Sequence, residues 1–216
     1  EDAGTGSQEM VWLRETTRFV TGLPVDQGGG GDPSPLTAVG IFEGLKACAA
    51  RALTRSTLTG LTVAIQGVGQ VGGRLARLLA AAGSRLIVAD ANAARAQAVA
   101  QETRARVVSP EEILEVPCEI LAPCALGGAL NARTIPRLQC RIVAGGANNQ
   151  LVEDRDAEAL RARGILYAPD FVINAGGLIN CAAELVPGGY QGAWAEARAR
   201  AIAQTLAELF ERPDRA

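Results

Sequence analysis

Gly67, Gly69 and Gly72 stand in a Gly-Val-Gly-Gln-Val-Gly run directly after Val63-Ala64-Ile65-Gln66, which reads as a buried strand. Each glycine has a separate task in a dinucleotide site. The first permits a tight turn, the second lets backbone approach a pyrophosphate, and the third lets the following helix pack closely on the strand. That helix presents the unpaired N–H groups of its first turn, Gln70 and Val71 among them, to phosphate charge, and its dipole adds to the attraction. Asp90 follows 23 residues after Gly67, at the end of the next apolar run. A carboxylate there can accept hydrogen bonds from both hydroxyls of an adenosine ribose and repels a 2′-phosphate. The expected ligand is NAD, favoured over NADP by at least about tenfold, or about 1.4 kcal/mol. Two other readings share these residues. The glycines could form only a turn, with Asp90 capping the helix at Asn92, or the loop could serve S-adenosylmethionine, whose sites use related glycine loops.

What the sequence lacks narrows the chemistry further. It has no histidine, which removes Ser/His and Cys/His catalysis, and Lys46 is the one lysine among 21 basic residues. Lys46 falls within a helical pattern, where a solvated face position is expected. Cys48, Cys118, Cys124, Cys140 and Cys181 are odd in number and show no CxxC spacing, so they read as buried free thiols and no metal site is expected. The net charge of −2 and pI near 5.4 supply no basic field, so no nucleic-acid partner is expected. No run of eighteen or more uncharged apolar residues occurs, and Glu1-Asp2 is unlike the basic start of a signal peptide, so no membrane role is expected and the cytoplasm is the expected location.

The elements that must hold the glycine loop and Asp90 follow from periodicity. Short apolar runs at 62–66, 85–89, 106–108, 119–122, 141–144 and 165–167 read as strands, separated by helical patterns at 71–82, 93–102, 110–114 and 154–163. Such alternation specifies an α/β fold, a Rossmann-type doubly wound parallel sheet with flanking helices. A helical pattern at 7–19 precedes it. Gly28 to Gly31 then form either a flexible connection or a loop whose backbone approaches something closely. Ser34 and Pro35 suit the cap and first position of a helix over 35–51. After Tyr167 the pattern gives an extended run to Ile173, a Gly176-Gly177 turn, a helix near 178–185 and an amphipathic helix near 194–211. With a chain of 216 residues, one full core is expected. The expected division is 1–31 as a domain end and hinge, 32–186 as the dinucleotide-binding domain and 187–216 as a C-terminal helix.

Seven motifs, in order, are carried by Glu1-Asp2-Ala3-Gly4-Thr5, Thr21-Gly22, Asp32-Pro33-Ser34-Pro35-Leu36-Thr37-Ala38, Gln66-Gly67-Val68-Gly69, Ala122-Pro123-Cys124-Ala125-Leu126-Gly127, Gly146-Ala147-Asn148-Asn149-Gln150 and Pro169-Asp170 through Gly177. With these the chain resembles the Glu/Leu/Phe/Val dehydrogenase family, most of all its leucine and phenylalanine members. The resemblance implies oxidative deamination of an L-amino acid with NAD, and it implies that this chain is the cofactor-binding, C-terminal portion. It also implies site residues: Asp2 as an acid–base carboxylate, Thr37 near the nicotinamide amide, Cys124 and Ala125 beside the cofactor, Asn148 at the nicotinamide ribose and Asn174 near the reacting centre. Leu178 and Cys181 match positions that line the substrate side chain, and both being apolar implies a hydrophobic amino acid. The family's two catalytic lysines belong to an N-terminal domain and have no counterpart here. The chain is therefore expected to be a fragment, with homo-oligomer contacts through the domain it lacks. A non-catalytic NAD-binding paralogue or regulatory subunit is the alternative.

Overall fold

The computed structural model describes residues 5–212; Asp2, the expected acid, lies outside them. Ser7–Arg14 forms α1, and Ser34–Leu53 the long α2. Then come β1 (Thr62–Gln66), α3 (Gln70–Ala81), β2 (Arg85–Ala89), α4 (Ala93–Thr103) and β3 (Arg106–Val107). The second half holds β4 (Ile120–Pro123), β5 (Ile142–Val143), α5 (Arg155–Ala162), β6 (Leu166–Tyr167), α6 (Asp170–Ile173), α7 (Gly176–Ala182), α8 (Gly192–Arg200) and α9 (Ile202–Phe210).

The six strands form one parallel sheet in the order β3-β2-β1-β4-β5-β6. β1 and β4 are neighbours although β2 and β3 lie between them in sequence, so the winding reverses there and leaves a crevice at the carboxyl ends of those strands. Strand alternation sends successive side chains to opposite faces. Val63 and Ile65 join Ile41 and Leu45 of α2 and Leu75 and Leu79 of α3 in one core, while Ala64 joins Leu121, Val143, Ile113 and Leu160 in the other.

α2 is the central helix of its face, and two of its residues are glycines for steric reasons. A Cβ on Gly40 would lie 2.6 Å from Ile202, and one on Gly44 would lie 2.9 Å from both Ile173 and Leu206. α6 and α9 therefore reach the α2 backbone itself.

Several expected details change. Ser34 lies inside α2 as its first residue with Pro33 at the N-cap, and Asp32 Oδ1 accepts the Ser34 N–H at 2.8 Å. The other Asp32 oxygen accepts from Arg74 at 2.5 Å, tying the start of α2 to α3. Burial raises the Asp32 carboxyl, but these bonds from Ser34 and Arg74 outweigh it and hold the group below its ordinary range. The helix expected over 110–114 is a single turn. Its capping box forms, Glu112 and Ser109 each accepting the other's backbone N–H, but no helix follows. The run before Ile173, expected to be extended, is the short α6. The expected terminal helix is divided into α8 and α9 at Ala201, although helical bonds from Ala201 to Ala197 and from Thr205 to Ala201 run through the division.

Candidate cofactor and substrate site

Four chain segments meet at the carboxyl ends of the strands. In the loop after β1, Gly67 has φ +88°, and a Cβ there would lie 2.8 Å from the Ala125 nitrogen. Gly72 is tighter still, since its Cβ would fall 2.0 Å from the Gly67 carbonyl oxygen and 3.1 Å from the Cys124 Cβ. These two glycines join the β1 loop, α3 and the loop after β4. Gly69 differs: the first atom its Cβ would meet is Arg95 Nη1, 4.0 Å away. The space in front of the α3 N-terminus is open where the backbone of Gly69, Gln70 and Val71 faces outward. Such a cradle fits a pyrophosphate.

Asp90 closes one side of that cradle. Its side chain is only 7% exposed. Oδ2 accepts the Val68 N–H at 2.9 Å, and Oδ1 accepts the Asn92 N–H at 2.8 Å. Asn92, not Asp90, caps α4, through a bond from the Arg95 N–H at 3.1 Å. The carboxylate is thus fixed against the glycine loop, with lone pairs remaining for ribose hydroxyls.

On the other side, Cys124 and Ala125 follow β4. The Cys124 N–H donates to the Gln66 carbonyl at 2.7 Å, and its Sγ accepts from the Gly146 N–H at 3.4 Å. Burial pushes the Cys124 thiol up to about 11, so it packs as a neutral group. The loop after β5 carries Asn148. Its position is set by Gln150, a buried residue whose Nε2 donates to the Gly145 and Ala147 carbonyls at 2.9 and 3.0 Å. Asp170, at the start of α6, accepts the Gln150 N–H at 2.9 Å. Asn174 then donates to Asn148 Oδ1 at 2.6 Å.

Gly176 and Gly177 could have served either ligand approach or a turn into a helix; the structure uses them for packing. A Cβ on Gly176 would lie 2.3 Å from the Leu36 carbonyl oxygen, and one on Gly177 would lie 2.9 Å from Thr37 Oγ1. α7 therefore starts against the first turns of α2. Thr37 is nearly buried there and donates to the Pro33 carbonyl at 3.0 Å. On α7, Leu178 is 74% exposed, and Cys181, three residues on, lies on the same side of the helix.

The described site residues therefore gather in two groups. Gly67, Gly69, Gln70, Val71, Gly72, Asp90, Cys124 and Ala125 form one wall, and Asn148, Asn174 and Thr37 lead from it to Leu178 and Cys181. Gln150, Asp170 and Arg95 belong to the same site but carried no assignment from sequence. The first two sit inside quoted motifs, which was the available signal; Arg95 gave none. Lys46 lies elsewhere, bonded to Glu43 at 2.9 Å and over the Phe42 ring at 4.5 Å, as a face position should be. A groove of about 750 Å³ lies at the β6 edge between α5 and the end of α9, and none of its lining residues belongs to the glycine loop. Among the described residues no cluster could hold a metal ion, and no helix is long and apolar enough to cross a membrane.

Comparison with known proteins bears on this arrangement. A family model described as Glutamate/Leucine/Phenylalanine/Valine dehydrogenase matches residues 86–212. One described as D-isomer specific 2-hydroxyacid dehydrogenase, NAD binding domain, matches residues 43–126. Leucine dehydrogenase of Thermoactinomyces intermedius is 46% identical over 98% of this chain and 57% of its own length. Phenylalanine dehydrogenase of the same organism is 39% identical over 98% of this chain and 58% of its own. The crystal structure of L-tryptophan dehydrogenase from Nostoc punctiforme matches with a TM-score of 0.80 and 44% identity, over 83% of this chain and 54% of that one. The chain spans little more than half the length of the relatives it matches.

Proposed function

The chain belongs to the Glutamate/Leucine/Phenylalanine/Valine dehydrogenase family, and on that premise we propose that it is the NAD-binding part of an enzyme that oxidatively deaminates a hydrophobic L-amino acid to its 2-oxo acid and ammonia. One observation carries the reading. The nucleotide-binding wall and the Asn148–Asn174 pair meet at one end of the sheet, and an apolar helix face continues from them.

NAD, when bound, supplies the acceptor for the hydride that leaves the substrate Cα. The chain's own residues bind and orient. The α3 N-terminus and the open space over Gly69 take the pyrophosphate, and Asp90 takes the adenosine ribose. Asn148, held by Asn174, and Thr37, held by Pro33, are the proposed contacts at the nicotinamide end. Leu178 and Cys181 are the proposed substrate face. A distal carboxylate would lose its hydration against them without gaining a partner, which favours leucine, valine, phenylalanine or tryptophan over glutamate. The named leucine, phenylalanine and tryptophan relatives support that choice. Asp2 is the proposed acid–base carboxylate, by its motif alone.

Binding and turnover separate these assignments. The 216-residue chain by itself should bind NAD in calorimetry but form no NADH from hydrophobic amino acids, since its one lysine, Lys46, is bonded to Glu43 away from the described site residues. A longer parent protein that includes this chain should form NADH from hydrophobic amino acids. Faster turnover of glutamate than of leucine, valine or phenylalanine by that parent would overturn the substrate assignment, and a parent that bound NAD without any turnover would favour the non-catalytic alternative.

A further inference from the structure

Arg95 reaches over the open part of the glycine cradle. Its Nη1 lies 4.0 Å from where a Cβ on Gly69 would be, and 3.3 and 3.5 Å from the two oxygens of Asp90. The nearby arginines of α3 are committed elsewhere: Arg74 to Asp32 at 2.5 Å and Arg77 to Glu102 at 2.6 Å. Arg95 is half exposed, at 50%, while its partner carboxylate is 7% exposed. Its guanidinium therefore covers the outer edge of a carboxylate whose inner edge is held by Val68 and Asn92. The outer edge is where ribose hydroxyls must arrive.

Resting on the reading of this loop as the cofactor site, we infer that Arg95 is a specificity-determining residue that narrows the chain's preference for NAD, by neutralising Asp90 and offering donors to the 2′-phosphate of NADP. The carboxylate alone would exclude a dianion by repulsion. An arginine within 3.5 Å of it cancels much of that charge. Guanidinium also matches phosphate oxygens in a bidentate way that ammonium does not. NAD needs no such partner, because its 2′-hydroxyl can donate to Asp90 directly. Arg95 thus acts on one dinucleotide and leaves the other nearly untouched.

Calorimetric titration of the chain with NAD and with NADP, for the unsubstituted protein, Arg95→Gln and Arg95→Lys, tests this. The unsubstituted chain should prefer NAD by about tenfold, and Arg95→Gln should widen the ratio to about a hundredfold, almost wholly by weakening NADP. Arg95→Lys should recover part of the loss, and the NADP term should weaken as salt is raised. A ratio unchanged in Arg95→Gln while NAD still binds would overturn the inference alone. Equal weakening of both dinucleotides would also overturn it, placing Arg95 on the adenosine or pyrophosphate they share. If the unsubstituted chain bound neither, the cofactor-site reading would fall and this inference with it.

Discussion

Asn174 Nδ2 donates to Asn148 Oδ1 across 2.6 Å, joining the loop after β5 to the segment between α6 and α7. The bond leaves the Asn148 amide nitrogen facing away from its partner, so one asparagine fixes which end of the other is offered to a ligand. Asn174→Ala should therefore weaken NAD binding about three- to tenfold and lower stability by about 1 kcal/mol. Asn148→Ala should do the same, and the double substitution should cost less than the sum. Additive losses across this cycle, from calorimetry and urea denaturation, would show that the two side chains act separately.

The glycine loop gives a sharper contrast. A Cβ at Gly69 meets open space, whereas one at Gly72 would fall 2.0 Å from backbone oxygen. Gly69→Ala should keep the fold and its thermal midpoint but lose NAD affinity, because the methyl occupies the phosphate cradle. Gly72→Ala should unfold the domain at markedly lower temperature, by about 2 kcal/mol or more. Equal thermal midpoints for the two variants would contradict the packing described.

Glu184 Oε1 accepts the N–H of both Gly22 and Gly30, at 2.9 and 2.8 Å, and Asn180 Nδ2 reaches the Gly30 carbonyl at 3.3 Å. One carboxylate, just past the end of α7, thus holds both Gly22 and Gly30. Glu184→Ala should speed hydrogen exchange of the Gly22 and Gly30 amides while β1 stays protected. Unchanged exchange at both glycines would mean that the carboxylate is not what holds them.

Burial pushes the Cys48 and Cys118 thiols up to about 12, with the neighbouring Cys140 also raising Cys118, and pushes Cys124 and Cys140 up to about 11. Unfolded thiols ionise near 9.0, so from there upward the unfolded state loses protons that the folded state keeps. These thiols should favour folding below that pH and should make stability fall as pH rises from about 9 toward 11–12. Native labelling by a thiol reagent near neutral pH should reach Cys181 first. Rapid labelling of Cys48 or Cys124 in the folded protein would refute the assignment.

The sequence by itself determined the doubly wound parallel sheet and the glycine loop after β1. Alternation of short apolar runs with helical periods is a local signal, and the runs at β1 and β2 end where the structure ends them. The tight turn at Gly67 and the close packing at Gly72 were also readable, because spacing between a strand and a helix fixes which glycine does what. Propensity misled where a cap was mistaken for a helix: Ser109 and Glu112 form their box, but the turn they open ends just ahead of Pro117, which disfavours helical backbone at the residue before it.

Tertiary structure alone decided what the remaining polar residues do. Glu184 lies 162 residues from Gly22, Arg74 lies 42 from Asp32, and Asn174 lies 26 from Asn148; no periodicity relates members of such pairs. Gly176 and Gly177 could equally have served ligand approach or a turn into a helix, and only the structure shows the backbone of α2 packed against them. Arg95 reads as one more solvated arginine of an alanine-rich helix, and only the approach of α4 to the glycine loop places it on Asp90. The physical reason is common to all of these. Periodicity and turn chemistry act between residues a few positions apart, whereas charge and hydrogen-bond partners are chosen by which loops the sheet brings to the same end.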